Sequence, residues 1–441
     1  MNLTSDVVVI GGGIVGLCTA YYLSAEGLKV AVIERGEIGR ACSDRNAGLV
    51  VPSHVIPLAA PGMVLKGLKW MFDAESPFYI KPRLSTDLLA WLFHFWRASN
   101  ADYMRRSSSI LHRLFQESYL LFSDLSNNLS DFCYRHKGLM MLCSTQEGLE
   151  TEIADAAIAR NLGIKVTVMN NHEIHQRDPH IRTSAVGGVY YHQDTHLDPT
   201  ALVESLKQAL RQHSVSFLTG TEVTGFRAVK DRVTSVATSK GTLEANTFVL
   251  AGGSWSPTIV QGLGIRMPLQ PGKGYSVTTT PHSPFPAIPY ILSEAKVAVT
   301  PLGPRLRFAG TMELAGLDLS INQRRVDAIL KAVPRYLNNF QPNEIQATQV
   351  WGGLRPCTPD GLPYIGPFGK AKNLIAATGH AMLGVTLAPV TGKIVTDLLM
   401  GRKTNLDLGR LSPGRFNYTV GRTPGSRFRS IASEPIESPN D

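Results

Sequence analysis

Cysteine is scarce in this chain and never paired by spacing: there are five in 441 residues, Cys18, Cys42, Cys133, Cys143 and Cys357. Without a Cys-x-x-Cys pair, neither a disulfide framework nor a cysteine zinc site is implied, and a reducing compartment is the simplest reading. Long apolar runs are also missing. No window reaches about 18 consecutive apolar residues, so no transmembrane helix is expected. Strand-forming residues begin by about position 6, so no signal peptide is expected ahead of them. Charged residues make up only 18%, and the net charge of +9 is spread along the chain rather than run into Lys/Arg blocks. No basic segment is interleaved with aromatics, which argues against nucleic acid. The positive balance fits a solvated basic surface or attraction to anionic substrates or membranes. No internal repeat is present. What remains is ordinary globular composition, 43% hydrophobic, at a length that allows two or three domains.

The most informative feature present is a glycine cluster. The apolar run Val7-Val8-Val9-Ile10 stops at Gly11-Gly12-Gly13-Ile14-Val15-Gly16, a helical pattern follows, and a second apolar strand, Val30 to Ile33, ends on Glu34. This is a βαβ unit for a dinucleotide. Gly11 permits the tight turn, Gly13 lets backbone approach a pyrophosphate, and Gly16 allows close packing of helix on sheet. The helix start, at Ile14 and Val15, offers N–H groups and partial positive charge to phosphates. Glu34 stands where a carboxylate accepts from ribose hydroxyls, and an acid there argues against a 2′-phosphate. FAD and NAD both remain open.

Further along, helices are expected over 100–128 and 147–162, and from Asp198-Pro199 to about 212, where Asp caps and Pro suits the first turn. Strands are expected at 140–143, within 215–238, at 247–250 and at 374–378; residues 274–350 read as strand-rich, with one helix near 322–339. A helix is expected from about Ala388 to Met400, and residues 420–441, rich in Ser, Pro, Gly and Arg, read as a disordered tail. Three strands end at glycines: at Gly11, at Gly252-Gly253 and at Gly379. Ligands of open α/β sheets bind at such carboxyl ends. One α/β dinucleotide domain assembled from distant pieces follows, with a sheet-rich domain inserted. The division expected is 1–57, 199–262 and 345–415 for the first, and 58–198 with 263–344 for the second.

Several motifs then make a resemblance specific: Glu34-Arg35-Gly36, Arg45-Asn46-Ala47-Gly48-Leu49, Ala251-Gly252-Gly253-Ser254-Trp255-Ser256, Pro271-Gly272-Lys273-Gly274-Tyr275 and Trp351-Gly352-Gly353-Leu354-Arg355-Pro356-Cys357-Thr358-Pro359-Asp360-Gly361. Together with the first glycine cluster they resemble the D-amino acid oxidase superfamily of flavoproteins, nearly to residue 415, and within it most the bacterial D-amino acid dehydrogenases. The end of the chain, Gly379-His380 to Pro389, is also similar to glycine oxidases.

The resemblance implies a Rossmann-type FAD domain and a mixed-sheet substrate domain, α+β overall. It gives Gly11, Gly13 and Gly16 to the pyrophosphate, Glu34 and Arg35 to the adenosine side, and Val223 to the adenine. Arg45, Asn46, Ala47, Gly48 and Leu49 would meet the flavin and ribityl chain. Ala251, Gly252 and Trp255 would close the phosphate side, and Gly384, Val385 and Thr386 would present N–H groups to the pyrimidine end. Relatives with covalent flavin carry His at the place of Arg45 or Cys at that of Gly353, so non-covalent FAD is implied. Arg355 would anchor the substrate carboxylate, a role that suits a guanidinium's two parallel N–H groups. Tyr275 and His54 are further pocket candidates, with Arg307 and Thr311 behind them.

The implied reaction is hydride transfer from Cα of a D-amino acid, proline or hydroxyproline included, to flavin, followed by imine hydrolysis. Alternatives are a glycine- or sarcosine-type amine oxidase or a 2-hydroxy-acid oxidase using O₂, and a non-catalytic flavin-binding subunit. The implied acceptor is a quinone or respiratory-chain carrier. Residues 57–97, rich in Leu, Trp and Phe, read as packed helices or as a surface that touches a membrane. The location expected is the cytoplasm, peripheral on the inner face of the membrane. Metal sites are not expected: His172/His175 and His192/His196 read as satisfied or exposed histidines.

Overall fold

The computed structural model describes residues 4–70, 76–280, 285–338, 340, 347–404 and 406–416. The tail expected over 420–441 lies outside them.

The strand Thr4–Ile10 carries four successive buried apolar residues, Val7 to Ile10. A parallel strand covered on both faces has such a continuous run rather than an alternation. It pairs in parallel with Val30–Ile33 on one side and Gly241–Leu250 on the other. Ser216–Leu218 lies beyond Val30–Ile33. Gly241–Leu250 changes neighbours along its length: its start is antiparallel to Arg232–Thr238, and Phe248 to Leu250 run parallel to Ala371–Thr378. Val223–Val229 and Tyr364–Phe368 complete eight strands among the described residues. The three strands expected to end at glycines are therefore neighbours, and their carboxyl ends open side by side.

The helix Ile14–Ala25 packs against the last helix, Gly384–Leu399, which packs in turn against Ala101–Asn128. By length and composition Ala381–Leu399 could cross a membrane, but it is mostly buried inside the fold, as a core helix is. It begins at Gly384 rather than near Ala388, with Pro389 in its second turn.

A second sheet of nine described strands faces the first domain. Gln270–Thr279 lies between Ala347–Cys357 and Arg305–Leu314, and the sheet continues through Val297–Leu302, Tyr290–Leu292, Leu139–Cys143, Gly187–Tyr191 and Val166–Asn170. Sheet membership moves one of the expected boundaries. Ala347–Cys357 belongs to the second sheet, not to a dinucleotide piece starting at 345. Leu111, Phe115 and Phe122 of Ala101–Asn128 join a core that runs from Val7 and Val9 to Met141 and Val189 of the second sheet, so this core is shared by the two sheets. Of the helix expected near 322–339, Gln323–Ala332 is α-helical and Val333–Arg335 tightens to a 3₁₀ turn at Pro334. Asp198 caps Pro199–Gln212 as expected, accepting from the backbone N of Thr200 and Ala201.

Candidate active site

At the first strand's end Gly11 has φ +112°, and a Cβ there would lie 2.4 Å from the Ala251 carbonyl oxygen. A Cβ on Gly16 would lie 2.0 Å from the Gly11 oxygen. Both glycines are thus required by the turn itself, where positive φ and close backbone approach exclude side chains. Gly13 leads into Ile14–Ala25 without a side chain of its own to cap it. Ser43 accepts instead from the Ile14 N–H at 2.8 Å, from 29 residues away. The Glu34 carboxylate accepts from the N–H groups of Gly12 and Gly36, both at 2.9 Å, which fixes it at the rim of the turn. Arg35 lies 4.6 Å over the Trp255 ring and 3.9 Å from Glu222.

The segment Arg45 to Leu49 is held from several directions. Asn46 donates to the Ser43 carbonyl at 2.8 Å and accepts from the Gly48 N–H at 2.9 Å. Ser276 donates to the Arg45 carbonyl at 2.9 Å. Arg307, expected behind Arg355 as a pocket candidate, donates to the Asn46 carbonyl at 2.8 Å and to Thr278 Oγ1 at 3.0 Å. Burial pushes its guanidinium down to about 10. It serves the loop and is not among the residues lining the cavity described below.

The two motif strands explain each other. Gln270–Thr279 pairs antiparallel with Ala347–Cys357, setting Gly272 opposite Arg355 and Gly274 opposite Gly353. A Cβ on Gly274 would lie 2.0 Å from Arg355 Nη1, and one on Gly353 would lie 2.1 Å from the Trp351 ring. The glycines therefore leave room for a guanidinium and an indole to lie flat along the sheet. Arg355 Nη1 donates to the Thr311 carbonyl at 2.7 Å, and among the described residues no carboxylate pairs with it. Thr311 reaches that position with φ +67°, beside a register shift between Gln270–Thr279 and Arg305–Leu314. Burial lowers the Arg355 pKa, yet a guanidinium stays charged. The Tyr275 hydroxyl donates to Glu313, which also meets Arg325 at 3.3 Å and Lys273 at 3.8 Å. That hydroxyl is engaged within the sheet, and burial beside Glu313 raises its pKa.

These parts surround one cavity of about 1250 Å³. Its wall includes Glu34, Arg35, Glu222, Val223 and Trp255, the turn residues Gly11, Gly13, Ile14 and Val15 with Ala251 and Gly252, the segment Arg45 to Leu49, and Gly384 and Val385 at the start of the last helix. Leu383 precedes Gly384–Leu399 without a side-chain cap, and its own N–H is taken by the His380 carbonyl at 2.8 Å, so the donors that helix start offers are those of Gly384 and Val385. Arg355, Tyr275, Thr311 and His54 line the same space. Gly16 and Thr386 do not; Gly16 packs behind the turn, and Thr386 accepts from the Val51 N–H at 3.2 Å. Of the histidine pairs, His172 meets Gln176 at 2.9 Å and His192 meets Thr167 Oγ1 at 2.9 Å, each in its own local contact. Ser43 and Cys42, whose thiol contacts the backbone N and O of Leu354 at 3.1 Å, were not singled out from sequence. No motif marks them, because their contacts are long-range.

The residues fit FAD. Backbone crowding at Gly11 and the bare Gly13 make a turn that could take phosphates, uncapped helix donors line the same cavity, and the space exceeds the ~300–1,000 Å³ usual for a small ligand. A glycine-turn domain joined to a second sheet over one long cavity defines a flavin-dependent oxidoreductase of the two-domain kind. Residues 6–398 match the family DAO, FAD dependent oxidoreductase, and the chain belongs to it. It is 33% identical to D-amino acid dehydrogenase of Granulibacter bethesdensis over 93% of this chain and 99% of that one. With D-amino acid dehydrogenase of Helicobacter pylori it shares 31% identity over 90% of this chain and 95% of the other. Among solved structures, glycine oxidase from Bacillus cereus superposes with TM-score 0.73 at 23% identity, covering 92% of this chain and 97% of that one. L-proline dehydrogenase from P. horikoshii gives TM-score 0.72 at 20% identity, over 95% and 99%. These two likenesses concern the fold.

Proposed function

We propose that the protein oxidises D-amino acids: hydride leaves Cα, and the imino acid formed is hydrolysed to a 2-oxo acid and ammonia. The observation that carries this reading is Arg355, a half-buried guanidinium on the cavity wall whose hydrogen-bond partner is the Thr311 carbonyl, with no carboxylate beside it among the described residues. A cation set into a cavity wall without a counter-charge attracts an anion, and a carboxylate substrate would pair with it and be oriented by two parallel bonds. D-configuration rests on the names of the curated relatives.

FAD, when bound, supplies the hydride acceptor and carries the redox chemistry. Gly11, Gly13 and the start of Ile14–Ala25 would hold its pyrophosphate, Glu34 its adenosine ribose, and Gly384 and Val385 its pyrimidine end. With Arg45 and Gly353 where relatives with covalent flavin carry His or Cys, FAD would be held non-covalently. The chain's own task is positioning: Arg355 would fix the carboxylate, and the Thr311 carbonyl holds Arg355 in place.

An anaerobic screen of D- and L-amino acids, prolines and N-methyl amino acids tests the reading through loss of oxidised-flavin absorbance. D-amino acids should bleach the flavin; bleaching only by glycine, sarcosine or 2-hydroxy acids would overturn it. Arg355→Ala should raise KM by about 100-fold with FAD retained, the scale of a lost bidentate charged pair. Unchanged KM would remove the anchor role.

The electron acceptor we propose is a membrane quinone. Leu65, Leu84, Leu89, Phe93 and Trp96 are exposed, and the helices that carry the first and the last three also line the cavity through Met63, Val64, Leu92 and Phe95. Such an apolar surface suits interfacial contact. Phe93→Glu with Trp96→Glu should cut sedimentation with anionic phospholipid vesicles about tenfold or more while dye-linked turnover persists. Equal sedimentation of both forms would refute the surface.

A further inference from the structure

The short ribbon of Leu49–Val50 against Thr195–His196 brings together two segments that neither motif reading joined. Just past it, both oxygens of Asp194 are engaged by one residue: Oδ1 accepts from the Ser53 N–H at 3.0 Å, and Oδ2 from the Ser53 hydroxyl at 2.5 Å. Ser53 Oγ lies 3.0 Å from His54 Nδ1, and the His54 ring lines the cavity. Asp194 is fully buried, and among the described residues no cation pairs with it. Because the Ser53 hydroxyl proton is directed to Asp194, its oxygen accepts from His54 Nδ1–H. That assigns the ring tautomer and leaves the Nε2 lone pair for the cavity.

We propose that Asp194, Ser53 and His54 form a proton relay that takes one proton from the substrate ammonium, with His54 as the catalytic acceptor and Ser53 and Asp194 as the residues behind it. This rests on the amino acid oxidation proposed above. An N–H bond of the ammonium breaks as Nε2–H forms. Nδ1–H passes its proton to Ser53 Oγ, and the original Ser53 proton passes to Asp194 Oδ2. The amine gains the lone pair needed to form the C=N bond as hydride leaves. No charge is left on the imidazole, and a buried unpaired carboxylate becomes neutral, which removes its desolvation cost.

The electrostatics agree. Burial pushes the Asp194 carboxyl up to about 7, a terminal acceptor close to neutral pH. Burial and nearby Lys296 hold His54 down at about 4, so the ring conducts the proton rather than storing it. Other groups facing this region are Tyr191, on the neighbouring strand and coupled to Asp194, and Glu152 and Asp155, on the helix Gln146–Asn161 at the cavity wall.

The probe is 2-aminoisobutyrate, which has the carboxylate and ammonium but no Cα–H to lose. Its binding to the holoenzyme should produce the infrared C=O band of a newly protonated buried carboxyl, and Asp194→Asn should lack that band. With D-amino acids, His54→Gln and Asp194→Asn should each lower kcat/KM near neutrality by about 100-fold, the range of general base catalysis. Both should recover as pH rises past the substrate's ammonium pKa, and the double variant should be no worse than either single one. Retained flavin absorbance checks folding. A wild-type enzyme that oxidises D-amino acids yet shows no carboxyl band, or variants whose loss is equal at all pH values, would overturn the relay alone. Failure of D-amino acids and of 2-aminoisobutyrate to engage the holoenzyme would overturn the deamination reading and the relay with it.

Discussion

Gly274 decides how Arg355 meets its substrate. A methyl group there would stand 2.0 Å from Nη1 and 2.5 Å from Cζ. The obstacle is the far end of a flexible side chain, so Gly274→Ala folds and the guanidinium moves. The expected result is a KM about tenfold higher for a carboxylate substrate, with thermal stability nearly unchanged, because a displaced guanidinium loses alignment more than charge. Steady-state kinetics beside a thermal melt check this, and an unchanged KM would mean that the anchor does not depend on this geometry. The site was legible from sequence where its chemistry is carried by neighbours along the chain. The glycine turn, Glu34 and the Arg355 block all line or shape one cavity. It was illegible where function depends on residues that meet only after folding. Ser43 reaches Ile14 across 29 positions and Ser53 reaches Asp194 across 141, with no spacing to announce either. Arg307 looked like a pocket residue because it shares a strand with Thr311, but a buried arginine with backbone and hydroxyl acceptors is a brace for the Asn46 loop.

At the level of elements, the first and last helices meet backbone to backbone. A Cβ on Gly392 would lie 2.7 Å from the backbone C and O of Cys18 and 2.9 Å from Thr19 N. Gly392→Ala raises helix propensity by about 1 kcal/mol, which by itself stabilises. Backbone atoms cannot rotate away as Arg355 can, so the two helices must separate, and overpacking of that kind costs about 1–3 kcal/mol. The clash wins, and urea unfolding should report a net loss of stability, together with weaker FAD retention as the start of the last helix shifts. A variant as stable as the parent would mean that the helices have slack. Helix positions were readable because caps are local: Asp198-Pro199 starts its helix as its sequence implies. Strand partners were not. Ala347–Cys357 could have extended either sheet by pattern, and only its register against Gln270–Thr279 assigns it to the second.

For the whole molecule, buried ionisable groups set the response to acid. His54 and His196 are held at about 4 and His380 at about 3, each by burial. An unfolded chain titrates histidine near 6.5. Between about pH 6.5 and 4 the unfolded state therefore binds three protons that the folded state refuses, and stability falls as pH falls through this window. Asp194 works the other way. Its pKa of about 7 means that the folded state holds a proton there which the unfolded state has released, down to the ordinary aspartate range. For these four groups the net difference over most of the window is about two protons in favour of unfolding, a contribution of about 2.7 kcal/mol per pH unit at 1.36 kcal/mol for each. Denaturant unfolding at successive pH values should show this loss, and Asp194→Asn should steepen it by removing the opposing group. His380→Gln should make it shallower; the His380 ring lies 2.9 Å from Thr391 Oγ1, a contact an amide side chain can reproduce. A stability flat from pH 6.5 to 4 would mean that these histidines are protonated in the native state, and with it the assignment of His54 as a neutral acceptor would fall.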